Sequence, residues 1–170
     1  VKENALNRLL KDGKINGAAE ILGLGRDPER TGHFLVNEDE LLKVEQILKL
    51  FLKFSSKHKV LTEARKLGLT GKKGRELTAH VIDTIIENAK WRYRGLWHAN
   101  KDNEHKDPSE LPETKRFQVV ALPHGPLIEE KLLDKVEEKL ADTYAKRKRS
   151  GKDGRIYLLS HILQFEDGSS

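Results

Sequence analysis

The strongest constraint on the fold is one apolar periodicity. Leu41, Val44, Ile47, Leu48, Phe51 and Leu52 recur at steps of three and four, which places them on one face of an α-helix. Asn37 stands ahead of this stripe as an N-cap, and Glu40 follows three residues later, as in a capping box. Glu38 and Asp39 fall in the first turn, where negative charge complements the helix dipole. Ser55 and Ser56 interrupt the pattern, Val60 to Leu67 continues or restarts it, and Gly68 is a natural residue just past a helix end.

The rest of the chain also reads mainly as helix. Ala5, Leu6, Leu9 and Leu10 share a face in residues 2–11, so residues 1–36 are expected to form an N-terminal helical arm. Within that arm, 26–37 contains Pro28 and Gly32 and reads as loop. After the turn 68–74, a long helix is expected from Arg75 to about Trp97, with Leu77, Val81, Ile85 and Ala89 as its stripe. Residues 98–116 are polar, hold Pro108 and Pro112, and read as a loop. Residues 117–122 (FQVVAL) are rich in β-formers. A helix follows over 127–148, and 156–165 (IYLLSHILQF) is a short apolar run. The expected fold class is mainly α: a helical bundle with an N-terminal helical arm and a small two-stranded β element pairing 117–122 with 156–165. The expected domains are the arm, 1–36, and a helical domain, 37–170.

Charge is segregated along this framework. The chain carries 32 Lys+Arg against 27 Asp+Glu, a net charge of +5. Residues 43–75 hold ten basic residues and two acidic ones, a local excess of eight, so the remainder is net negative by three. Such segregation is the footprint of a polyanion-binding element. Lys49, Lys53 and Lys57 lie four apart and form a ladder on one helical face, each step rising roughly 6 Å. Lys59, Arg65 and Lys66 extend the basic segment. Lys72, Lys73 and Arg75 sit in a glycine-rich turn that is read as opening a helix, where backbone N–H groups and the dipole favour an anion. Lys90, Arg92 and Arg94 alternate with Trp91 and Tyr93, and Trp97 follows. Such aromatics can stack on bases while the arginines hold phosphates, but Tyr93 and Trp97 also continue the apolar stripe and read better as core. Lys146, Arg147, Lys148 and Arg149 form a last block. These sixteen cations are the candidate nucleic-acid contacts.

Catalytic and metal readings are weaker. The chain has no cysteine, which removes disulfides, thiol nucleophiles and Cys-ligated zinc. It has no G-x-S-x-G elbow, no HExxH and no P-loop order. His80, Asp83 and Glu87 would share a helix face, but one face is slight evidence. No catalytic residue, metal ligand or cofactor is assigned, and the reading is non-enzymatic. No run of 18 apolar residues exists to span a membrane. The start of the chain does not read as a signal peptide, so an intracellular or virion location is expected.

The absence of both Cys and Met, with abundant Lys and Glu and few Gln, matches hyperthermophile composition. In composition and layout the whole chain resembles the α-helical, DNA-wrapping major coat proteins of filamentous viruses of hyperthermophilic archaea. That resemblance implies a structural protein that coats double-stranded DNA through phosphate contacts and assembles with copies of itself or a similar subunit. Two alternatives stand beside it. Residues 61–77 resemble a helix-turn-helix, with Ala64 and Gly68 at the expected spacing, which would make a transcription regulator. The other is a helical subunit of an RNA-binding complex.

Overall fold

A computed structural model describes residues 14–15 and 19–145 of the chain. It divides into two units, 1–136 and 137–170. The described part of the second unit, 137–145, is helical.

The first unit begins with a hairpin. Strand β1 (Leu24–Arg26) pairs antiparallel with β2 (Phe34–Val36), Leu24 opposite Val36 and Arg26 opposite Phe34. Asp27 closes the turn, its Oδ1 accepting from the N–H groups of Glu29 and Arg30 at 2.9 and 3.2 Å, as Asp does in Asx-turns. Ile21, Leu22 and Leu24 are buried. The described residues from 19 to 36 are therefore not a helical arm. Ile21, Leu22 and Leu24 anchor them in the protein core, while Leu35 is exposed.

Helix α1 (Glu38–Phe54) follows, with Asn37 Oδ1 accepting from Glu40 N–H at 3.1 Å. The other half of the expected capping box is replaced. The Glu40 carboxylate, 9% exposed, accepts from Gly23 N–H at 2.9 Å, while Asn37 N–H donates to Gly23 O at 3.0 Å. The start of α1 is thereby clamped to the hairpin. Helix α2 (Lys57–Lys66) ends as the sequence predicts: Gly68 is left-handed, its N–H donating to Arg65 O and Leu69 N–H to Ala64 O, both at 3.0 Å. This is the Schellman pattern.

Helix α3 spans Ala79–Asn88, much shorter than the expected 75–97. It starts late because Thr78 is its cap, its Oγ1 accepting from Val81 N–H at 3.4 Å. It stops at Asn88, where the chain turns through 89–91 and a 3-10 turn at Arg92–Arg94 to the left-handed Gly95 (φ 74°). Leu96–Ala99 is strand β3, antiparallel to β4 (Gln118–Ala121), with Trp97 opposite Val120. The β-former run was legible, but its partner is 96–99. The expected partner, 156–165, lies outside the described residues. Helix α4 runs from 130 through 145. The described chain is thus mixed α/β, four helices and two small antiparallel sheets, and the helical-bundle expectation is corrected. Short β-branched and aromatic runs found cross-strand partners that periodicity alone does not reveal.

The core of the first unit joins these pieces. Val44, Ile47, Leu48 and Phe51 of α1 are buried, as are Val60 and Ala64 of α2, Ile82 and Ile85 of α3, and Leu133 of α4. Each such side chain contributes roughly 1.5–3 kcal/mol relative to exposure. Tyr93 is fully buried at the junction. Its hydroxyl donates to Leu22 O at 2.7 Å and its carbonyl accepts from Leu127 N–H at 3.0 Å.

Candidate nucleic-acid interface

The lysine ladder does not form as one rail. Helix α1 ends at Phe54, where Ser55 turns left-handed (φ 55°) and donates its N–H to Phe51 O. Lys57 therefore belongs to α2, and it pairs with Asp83 of α3. Lys49 pairs with Glu45 at 2.6 Å, and Lys53 lies over the Phe54 ring. Asp83, of the His80–Asp83–Glu87 set on α3, is thus engaged by Lys57. Among the described residues no group of three or more His, Cys, Asp or Glu could hold a metal ion.

The segment between α2 and α3 is differently built from its sequence reading. It spans 67–78, too long for the short turn of a helix-turn-helix, and its second helix begins at Ala79, beyond the expected 61–77 motif. Nor do its N–H groups converge on an anion at a helix start. Gly71 N–H donates to Arg75 O at 2.7 Å and Arg75 N–H to Lys72 O at 3.2 Å, closing a tight turn. Lys73 and Gly74 at its tip both have positive φ, 55° and 71°. A non-glycine residue pays for that conformation, so the turn must be held from outside.

Three cations hold it. Lys72 Nζ donates to Leu24 O and pairs with Glu20, both at 3.0 Å. That hydrogen bond from Lys72, then one from Arg26 N–H, holds the Glu20 carboxyl below its ordinary range. Arg65 donates through Nε and Nη2 to Leu77 O, at 3.1 and 2.7 Å, and pairs with Glu76 at 3.0 Å. Lys43 Nζ donates to Thr70 Oγ1 at 3.0 Å. The turn is thus pinned to β1, α2 and α1. The side chains of Lys73 and Arg75 remain exposed and make no hydrogen bond or ion pair among the described residues. Beside them the start of α3 is open, with Thr78, Ala79 and His80 exposed. The side chain of Lys59, on α2, is also exposed and has no partner among the described residues, and Lys66 pairs with Glu63 at 2.7 Å.

In the second basic set, 90–94, the two arginines are partly buried while Lys90 is exposed. Arg92 donates to Ala19 O at 2.6 Å and stacks over the Trp97 and Phe34 rings, 5.0 and 5.7 Å from their centroids. Burial lowers its pKa from the ordinary arginine value. Arg94, only 15% exposed at its side chain, pairs with Asp134 at 2.6 Å and with Glu130 at 3.8 Å. Lys90 lies over Trp91 and pairs with Glu104 at 3.7 Å. Trp91 packs edge-on against His98 and Phe117. Desolvation raises the Tyr93 phenol above its ordinary pKa, and the fully buried ring, with its hydroxyl bound to Leu22 O, anchors this stretch. Lys146, Arg147, Lys148 and Arg149 lie outside the described residues.

Sequence reasoning missed Thr78 and the pinning role of Lys43. The available signal for Thr78 was a Thr directly before a new apolar stripe. It was masked by the expectation that the helix started at Arg75.

Residues 38–143, more than half of the chain, match the model of the Recombinase family, and the chain belongs to that family. No curated protein and no solved structure matches it. Membership corrects the functional reading. It points to DNA recombination by strand-cleaving and strand-exchanging enzymes, not to a viral coat. The coat resemblance, the virion location, the filament and the non-enzymatic assignment all fall with that finding. The regulator reading has no support in it, and 61–77 does not form the motif that suggested one. DNA binding stands, now on family grounds. No described helix is long and apolar enough to cross a membrane.

Proposed function

We propose that the chain acts in DNA recombination and that the pinned turn 70–77, with the start of α3, grips the backbone of double-stranded DNA. The observation that carries this reading is the division of labour among neighbouring cations. Lys72, Arg65 and Lys43 spend their hydrogen bonds on the protein, and Lys73 and Arg75 are left over on a fixed support. Ordering a flexible basic loop on DNA would cost side-chain and backbone entropy. A turn already held on three sides avoids much of that loss, the advantage of pre-organisation. The exposed N-terminus of α3 adds oriented N–H groups that favour phosphate. Lys59 and Lys66 extend the same basic neighbourhood along α2. Contacts of this type set position and orientation on the duplex more than sequence preference.

The test is binding of duplex DNA by fluorescence anisotropy across a salt series. The Lys73→Ala/Arg75→Ala variant should bind more weakly to every sequence, with a salt slope reduced by about 2, near 0.9 per lost phosphate contact. An unchanged slope would sink the assignment of this turn.

A further inference from the structure

We infer that the small hollow beside the pinned turn holds one unpaired pyrimidine base of the bound DNA. The inference rests on the reading that this turn grips duplex DNA. The hollow has a volume of about 130 Å³. A cavity of roughly 150 Å³ takes a benzene ring, so one six-membered ring fits and a bicyclic purine does not. Ile21, Val81 and Ile85 form its apolar wall, and Glu20, Lys72 and His80 stand on its polar side. Protein cores leave few hollows larger than a water molecule, and the wall of an empty one forfeits dispersion contacts. A base has apolar faces and a polar edge, which match the two sides of this hollow.

The polar side keeps hydrogen-bonding capacity. Lys72 Nζ donates to Leu24 O and pairs with Glu20, both at 3.0 Å, and an ammonium carries a third donor. Glu20 takes Lys72 on one carboxylate oxygen and Arg26 N–H on the other, at 3.2 Å, and each oxygen can accept a second bond. A pyrimidine edge supplies both kinds of partner, a carbonyl for the ammonium and an N–H for the carboxylate. The His80 imidazole is exposed, has no side-chain partner among the described residues, and can stack on the ring. Position joins the hollow to the grip. Lys72 directly precedes Lys73, and His80 lies in the first turn of α3. A phosphate held by Lys73 and Arg75 would bring its own nucleotide to the mouth, where three cations suit its charge. Taking a base out of a paired stack is costly, and least so where the base already lacks a partner. Exchanging strands leaves such bases.

Fluorescence anisotropy on the full chain tests this with three labelled duplexes of one sequence: fully paired, with one bulged thymine, and with one bulged adenine. The two bulges distort the duplex alike, so their comparison isolates fit to the hollow. The thymine bulge should bind about tenfold tighter than the adenine bulge, within the range that one stacked base contributes. Val81 is only partly buried, so Val81→Phe can fill the hollow from its rim. It should erase the thymine preference and leave paired-duplex affinity and melting temperature near the parent values. Val81→Ala widens the hollow and should narrow the gap between the two bulges. Equal binding of the two bulges by the parent chain overturns the inference, and so does a thymine preference that survives Val81→Phe. Lys73→Ala/Arg75→Ala should weaken binding of all three duplexes. If it does so while the bulges bind equally, the base site alone is removed. If paired-duplex binding is indifferent to that variant, the grip on which the base site rests is removed as well.

Discussion

Two stretches of the chain look alike in sequence: Lys72-Lys73-Gly74-Arg75 and Lys90-Trp91-Arg92-Tyr93-Arg94. Each holds three cations within five residues, and each reads as a phosphate site. The fold uses them in opposite ways. In the first, one cation ties the turn down and two point away from the protein. In the second, every cation has an internal partner: a ring and Glu104 for Lys90, a carbonyl and two rings for Arg92, two carboxylates for Arg94. What separates them is the company each keeps. Gly74, left-handed at φ 71°, lets the first turn bend outward. Trp91, Tyr93 and Trp97 carry the second into the core, and the long arginine stems follow the aromatic surfaces.

The comparison can be broken first at Gly95, which holds the second stretch in its inward course. A Cβ there would stand 2.3 Å from the carbonyl carbon of Gly125, at φ +74°. Gly95→Ala should cost about 3–5 kcal/mol, the range of severe backbone and packing defects, read by chemical denaturation. A loss below about 1 kcal/mol would show that the close approach is easily relaxed. Tyr93→Phe comes next. It leaves Leu22 O buried without its donor and should cost roughly 1–3 kcal/mol, again by denaturation. The Lys73→Ala/Arg75→Ala variant sharpens the contrast from the other side. Its stability should stay within about 0.5 kcal/mol of the parent, while DNA binding weakens. Equal losses in both would mean the two stretches are not functionally distinct.

The smallest effect is in pH. Burial, together with the charges on Lys101 and Arg92, lowers the His98 pKa from its ordinary value. The unfolded chain then takes up the proton first. Stability should be level above about pH 6.5 and fall as the pH drops below it, since the unfolded state binds more protons there. His124, lowered by burial, contributes with the same sign. His98→Phe should therefore flatten the acid limb of a melting-temperature profile in part, and an unchanged limb would remove His98 from the account.

Much of the first half was legible in the sequence because its signals are local. The stripe from Leu41 to Leu52, the Asn37 cap and the Gly68 stop each depend on residues within a few positions, and all three stand where expected. The 117–122 strand was also legible from β-formers alone. The hairpin 24–36 was not, since its residues look like loop until Leu24 meets Val36. Glu40 illustrates the limit: its spacing predicts a bond to its own cap, and the fold offers Gly23 N–H instead. For the proposed site, the excess of cations in 43–75 drew attention to the stretch that carries the exposed Lys73 and Arg75. Which of them are available was invisible, because Asp83, Glu20, Glu76 and Leu77 O are brought to Lys57, Lys72 and Arg65 only by folding.

The sequence by itself therefore determined the helices of α1 and α2 and the location of the basic segment, while DNA as the partner rests on the family match. Helical periodicity and charge count are properties of neighbouring residues, and they survive without knowledge of the fold. Tertiary structure decided that the second sheet pairs 96–99 with 118–121, that α3 is short, and that Arg92 and Arg94 are fastenings. Those outcomes depend on which strand finds which partner and which carboxylate or carbonyl arrives beside each cation. Such contacts join residues dozens of positions apart, and no local pattern encodes them.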